Sequence, residues 1–177
     1  MVRFSIKEEY ETKVDNIFLE LTNQKFLNYL KKHDVSIIDY YIDKEKKEDN
    51  IYKIITVSIM KTELPNFLSL IIGNLENKFS TLGKYDLEKK EAKYKVKGKS
   101  LDLISSSIIF SEKYENTKEG CIKIIDFMIE CNLPVIKNKI EEVLKDKFIN
   151  TSKIRHEIFK KWINKKKKKK KKKLNSL

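Results

Sequence analysis

The chain has 177 residues, 40% of them apolar and 37% charged, with 9 Phe, 8 Tyr and 1 Trp. That length suits one sizeable core and is too short for two. Aromatic and β-branched residues run throughout, which excludes wholesale disorder, and 4 Gly with 2 Pro exclude collagen-like or Pro-rich architectures.

Lys and Arg number 39 against 26 Asp and Glu, a net charge of +13. Nine of those lysines form one run, Lys165 to Lys173; without it the balance is 30 against 26. The body is therefore only mildly basic, which argues against the folded surface as a nucleic-acid platform. Cys121 and Cys131 are too few for a disulfide framework, and no His cluster accompanies them for zinc. The segment Met1 to Glu9 lacks a long apolar stretch, and no apolar run, Leu70-Ile71-Ile72 included, exceeds three residues. The expected setting is intracellular, cytoplasmic or peripheral at membranes, and not secreted.

Val2 to Lys7 alternates apolar and polar residues and reads as a strand. Thr12-x-x-Asp15 stands as a capping box before an amphipathic helix carrying Val14, Ile17, Phe18 and Leu21. Asn23 caps a second, short helix with Phe26, Leu27 and Leu30. Val35 to Ile42 and Ile51 to Met60 read as strands, with the mixed-charge Asp43 to Asn50 as a solvated hairpin loop. Leu64 to Gly73, with Pro65 near its start and Gly73 at its end, reads as a short apolar helical insertion.

Four more strands follow: Leu75 to Leu87, Ala92 to Val96, Leu103 to Phe110 and Cys121 to Ile129. Glu88 to Glu91, Lys97 to Ser100 and Glu115 to Gly120 read as their hairpin turns. After Leu133-Pro134 the period changes. Ile136, Ile140, Val143, Leu144, Phe148, Ile154, Ile158 and Trp162 follow three- and four-residue steps, a long helix that Asn150-Thr151-Ser152 could bend. Hairpin connections imply an antiparallel sheet, and the long helix is its only large cover. The fold class is α+β: a curved antiparallel sheet of about seven strands around a long C-terminal helix. Residues 1–163 form the domain, and 164–177 read as a polybasic disordered tail.

Few residues offer chemistry. His33 follows Lys31-Lys32 at a helix end, which suits a cation there. His156-Glu157 begins like a zinc motif but lacks the second His. Ser105-Ser106-Ser107 has no His in sequence reach, and no Gly-rich phosphate loop exists. Cys121 and Cys131 on one strand would share a face roughly 33 Å apart, too far to bond. No metal, cofactor or catalytic residue is expected.

The apolar faces are more informative. Ile55, Val57 and Ile59 share one face of their strand, and Ile125 and Phe127 one face of the last. With Ile108, Phe110, Ile140, Leu144 and Phe148 they form either a filled core or a cavity lining, which want the same residue types. Leu64, Phe67, Leu68 and Ile71 form either a wedge at the core edge or a gate over a cavity. Trp162 beside Lys165, Lys166, Lys167, Lys168, Lys169, Lys170, Lys171, Lys172 and Lys173 suits contact with an anionic membrane surface. The same run also reads as compositional drift, or as a nuclear-import or nucleic-acid tail.

The order of elements resembles the START-like (Bet v 1-like, helix-grip) superfamily and, more narrowly, the DUF2505 family within it. The resemblance covers roughly Arg3 to Trp162. It is carried by Val14 to Thr22 with Phe26-Leu27, Glu63 to Leu68 with Ile72-Gly73, Gly120-Cys121, and Leu133 to Glu141. It implies a sheet–helix cavity for a lipid or another apolar small molecule. The function expected from it is non-catalytic binding or transfer of such a ligand, with Leu64, Phe67, Leu68 and Ile71 as the gate. The alternative is a ligand-free interaction or chaperone-regulating module on the same fold. Nucleic-acid binding through the lysine tail is the least favoured.

Overall fold

The computed structural model describes residues 1–61, Phe67 and residues 77–174, leaving aside the side chains of Leu21 and of residues 169–174. Seven strands form one sheet: β1 (Val2–Tyr10), β2 (Ile37–Glu48), β3 (Ile51–Met60), β4 (Asn77–Asp86), β5 (Glu91–Lys97), β6 (Ser106–Asn116) and β7 (Cys121–Cys131). Their order is β1-β7-β6-β5-β4-β3-β2, with every neighbour antiparallel. Strands β2 to β7 lie side by side in reverse chain order, and β1 pairs with β7, so β1 and β2 are the edges. Helix α1 (Gln24–His33), the short α2 (Lys99–Leu103) and the long α3 (Lys137–Leu174) complete the fold.

Local sequence explains most of this, and four expectations change. The segment read as a first helix is instead two 3-10 turns, Val14–Asn16 and Glu20–Thr22. No side chain caps the first; Thr12 Oγ1 accepts a bond from Asn16 Nδ2 at 3.3 Å. Val14, Ile17 and Phe18 are still buried, so packing rather than helix propensity fixes the segment. Asn23 caps α1 as expected, its Oδ1 accepting from Lys25 N at 2.9 Å.

The charged run Asp43 to Glu48 is not a loop but the second half of β2. The hairpin turn is confined to Asp49-Asn50, where Asp49 takes φ 48°, a left-handed value that Asp tolerates. Glu48 pairs with Lys53 across the hairpin at 2.8 Å. Two register shifts, between Ile37 and Asp39 and between Ile42 and Lys44, bend this edge. Charges and bulges both guard an open edge against further pairing.

The link from β5 to β6 is α2 rather than a hairpin turn, because Ser100 and Leu101 turn inward and are buried. Finally, α3 passes through Asn150-Thr151-Ser152 without interruption and continues through the lysine run. Its body-side lysines find partners: Lys165 Nζ lies 5.4 Å from the Tyr29 ring centre, Lys166 pairs with Glu20 at 2.6 Å, and Lys167 donates to the Glu11 carbonyl at 2.7 Å. Lysine is also a good helix former, and its charge suits the C-terminal end of the helix dipole.

Gly120, in the β6–β7 turn, permits a close approach. A Cβ there would sit 1.9 Å from the Tyr10 carbonyl oxygen. Backbone cannot yield as a side-chain end does, so Gly120→Ala should part the end of β1 from β7 and cost about 2 kcal/mol or more. Chemical denaturation checks this; a loss below about 0.5 kcal/mol would show that the turn relaxes freely.

Candidate functional site

The concave face of the sheet is built on a row of residues directly opposite one another. Phe4 stands opposite Phe127, Phe127 opposite Phe110, Phe110 opposite Tyr94, and Tyr94 opposite Gly83. The rings stack in sequence, with centres 4.9, 5.1 and 4.3 Å apart. Such cross-strand aromatic pairs stabilise a sheet and give it a flat apolar floor. Gly83 ends the row with no side chain.

Helix α3 crosses above this floor. Leu144, Phe148, Thr151, Ser152, Arg155, His156 and Phe159 recur at helical spacing on the side that faces the sheet. The small side chains of Thr151 and Ser152 sit between larger neighbours. Phe26, Leu27 and Leu30 of α1 close one flank, and Leu101 and Ile104 another. A cavity of about 270 Å³ remains between sheet and helices.

One end of the cavity is ionic. Glu8, Glu112 and Lys123 are 5%, 6% and 6% exposed. Lys123 Nζ lies 2.7 Å from Glu8 Oε2 and 3.5 Å from Glu112 Oε1. Tyr10 donates to Glu8 Oε2, while Tyr94 and Tyr114 donate to Glu112 Oε2 at 2.8 and 3.0 Å. The Tyr85 and Tyr94 hydroxyls are hydrogen-bonded at 2.9 Å. From α3, His156 brings Nδ1 to 3.6 Å from Glu8 Oε2.

The protonation of this cluster follows from its contacts. Burial alone raises the Glu8 carboxyl, but hydrogen bonds from His156, Lys123 and Tyr10 and the Lys123 charge outweigh it and bring it from 4.5 down to about 2. Burial alone lowers Lys123, yet the charges of Glu112 and Glu8 prevail and push its ammonium up. Burial, then the adjoining carboxylates, push the Tyr10, Tyr94 and Tyr114 hydroxyls well up. Glu8 is thus held ionised, Lys123 protonated and the tyrosines neutral around pH 7.

Of the residues expected to line a cavity, Ile108, Phe110, Ile125, Phe127, Leu144 and Phe148 do so. Ile140 is fully buried but packs with Leu101, Ile104, Ile108, Ile129 and Cys131, outside the lining. On β3 the phase is the other one. Ile54, Thr56, Ser58 and Met60 face the cavity, so Ile55, Val57 and Ile59 point the opposite way. The cavity face of β3 is its more polar one, which an apolar count along the strand selects against.

Leu64, Leu68 and Ile71 lie outside the described residues. Phe67 packs on the cluster around Ile140, with Lys139 Nζ 4.3 Å from its ring centre. Trp162 is taken up by the body: it packs on Phe26 and Tyr29, and its indole donates to Glu20 Oε1 at 2.8 Å. Lys165, Lys166 and Lys167 touch the body as described, Lys168 is exposed, and the side chains of Lys169 to Lys173 fall outside the described residues. Cys121 and Cys131 are free and buried at the two ends of β7.

The ionic end went unread in the sequence. Its signal was one polar residue in the inward phase of three strands: Glu8 in step with Phe4 and Ile6, Glu112 with Ile108 and Phe110, Lys123 with Ile125 and Phe127.

No protein-family model and no curated protein matches the chain. Solved structures do match in fold. A START superfamily protein from Mycobacterium smegmatis aligns over 93% of this chain and 97% of its own, with 8% identity and a TM-score of 0.54. Ara h 8.0201 aligns over 93% and 98%, with 11% identity and a TM-score of 0.60. Norcoclaurine synthase from Thalictrum flavum aligns over 92% and 84%, with 12% identity and a TM-score of 0.60. The fold is the helix-grip fold of START-like and Bet v 1-like proteins; the narrower likeness to DUF2505 has no family model behind it. One of these neighbours is named as an enzyme, so the fold accommodates catalysis as well as binding. No described helix is long and apolar enough to cross a membrane.

Proposed function

We propose that the protein binds one small, mainly apolar molecule between sheet and α3, without chemistry on it. The observation that carries this reading is the cavity of about 270 Å³ with its aromatic floor. A void of about 150 Å³ lined by apolar side chains takes up benzene. The present cavity therefore suits a two-ring compound or one short chain. The lipid-carrier reading narrows accordingly to single-chain or ring lipids, since two acyl chains exceed the space.

Its non-catalytic character is supported by the charged groups at the cavity end. Glu8 is held near 2 and Lys123 above its usual range, so neither exchanges a proton readily at neutral pH. Lys123 as a bound ammonium is also a poor nucleophile.

The test is calorimetric titration with 2-naphthalenemethanol, an uncharged two-ring compound. One-to-one binding is expected. Ser58→Phe adds a ring on the cavity wall and should weaken that binding about tenfold or more, with the fold retained. Absence of binding, or equal binding by both proteins, would count against the cavity as the site.

A further inference from the structure

We propose that the outer face of the sheet, the one turned away from the cavity, docks on an anionic lipid bilayer. This surface is separate from the cavity and from the lysine run. Phe79, Thr81, Gly83 and Tyr85 of β4 line the cavity, as do Tyr94 and Val96 of β5, so the residues between them point outward. On β3 to β5 the outward positions hold six lysines, Lys53, Lys78, Lys84, Lys93, Lys95 and Lys97, against Asp86 and Glu91. That surplus of four equals the surplus of the whole chain outside the run, 30 against 26. A body that is mildly basic in sum is strongly basic on one face.

The lysines are set against one another. Lys53 stands directly opposite Lys84, and Lys84 opposite Lys93. Like charges so placed destabilise a sheet. Lys53 is relieved by Glu48 at 2.8 Å. Lys84, Lys93, Lys95 and Lys97 form no ion pair among the described residues. The two acids of the face, Asp86 and Glu91, are drawn off to the β4–β5 turn. Negative charge laid over the row removes the repulsion.

A second observation is apolar and independent of charge. The next row across the strands is Ile55, Leu82, Lys95, Ile109 and Met128. Leu82 and Ile109, on either side of Lys95, are 46% and 38% exposed. At a bilayer such aliphatic ends enter the acyl boundary, while lysine stems lie along them and hold their charges at headgroup level. The described outward positions of β3 to β6 carry no aromatic ring for base stacking and no arginine for bidentate phosphate contact. The face therefore suits a bilayer better than a nucleic acid.

The experiment is sedimentation of the full chain with vesicles of phosphatidylcholine alone and of an equal mixture of phosphatidylcholine and phosphatidylserine. Binding to the mixed vesicles is expected, weakening as salt is added, with little to the neutral ones. Each lysine near an anionic leaflet is worth roughly fivefold in affinity, so Lys93→Gln combined with Lys95→Gln should weaken binding about tenfold or more. Leu82→Ser should weaken it about threefold, with the salt dependence unchanged. All three side chains are exposed, so both variants should keep the fold, which circular dichroism checks. Equal binding by the double variant and the unaltered protein overturns the proposal and assigns membrane contact to the lysine run. Equal binding to both kinds of vesicle, or to neither, overturns it as well. So does tighter binding to a DNA duplex that the same two substitutions abolish, which would make the partner a nucleic acid.

Discussion

Lys123→Met should destabilise the protein by about 3–5 kcal/mol, the usual loss when one partner of a buried ionic cluster is removed. Glu8 and Glu112 would be left in a nearly dry site with no opposing ammonium, although the tyrosine hydroxyls would remain. The acid limb of stability should move as well. In the native protein Glu8 is held at about 2 against an ordinary 4.5, a depression equivalent to about 3 kcal/mol. Its folded value lies below its unfolded one, so that stability is present above about pH 4.5 and is lost as the pH falls through about 2. Without Lys123 burial raises the carboxyl with less to oppose it, and the loss should begin at higher pH. Urea denaturation between pH 7 and pH 2 measures both effects. A loss under about 1 kcal/mol, or an unchanged acid limb, would mean that the three charges are not coupled as their distances imply. Replacing all three by apolar residues of similar size should be far milder than Lys123→Met alone.

Phe26→Ala is expected to cost about 3–5 kcal/mol, the range for removing a buried aromatic side chain. Phe26 is 2% exposed and meets Phe159 edge-on at 5.0 Å between ring centres, with Trp162 at 6.0 Å. With Tyr29, which packs on Trp162, it ties α1 to the second half of α3. It also borders the cavity, so its removal should enlarge the space while loosening one flank. Phe26→Leu refills most of the volume and should cost about 1–2 kcal/mol. Comparable losses for Ala and Leu would show that ring geometry, rather than volume, governs the contact.

The period-two runs and the switch to helical period after Cys131 made the architecture legible. Val2 to Lys7, Ile51 to Met60 and Cys121 to Ile129 all fall within strands, and Ile136 to Trp162 marks the long helix. What local pattern could not supply was phase and pairing. In β3 the inward residues include Thr56 and Ser58, because a cavity, unlike a filled core, tolerates hydroxyls on its wall. In β1 and β7 a glutamate and a lysine look like ordinary surface residues until the register places Glu8 directly opposite Lys123. Their burial depends on each other, and mutual burial leaves no mark within either strand. The charged half of β2 read as a loop for the converse reason: partners across a hairpin, not its own residues, make it a strand.

The pairing of β1 with β7 also dictates when the molecule can become whole. Ser5 and Asp126, joined across that ladder, are 121 residues apart in sequence. Strands β2 to β7 can pair one after another as the chain leaves the ribosome, but β1 must wait beside them until β7 arrives. Contacts so distant in sequence slow folding. Until then β1 and the outer side of β6 are unpaired rims and the aromatic floor lies bare, without α3 above it. The nascent chain is most exposed to misassociation in that interval, and slowing the synthesis of β7 and α3 should lengthen it.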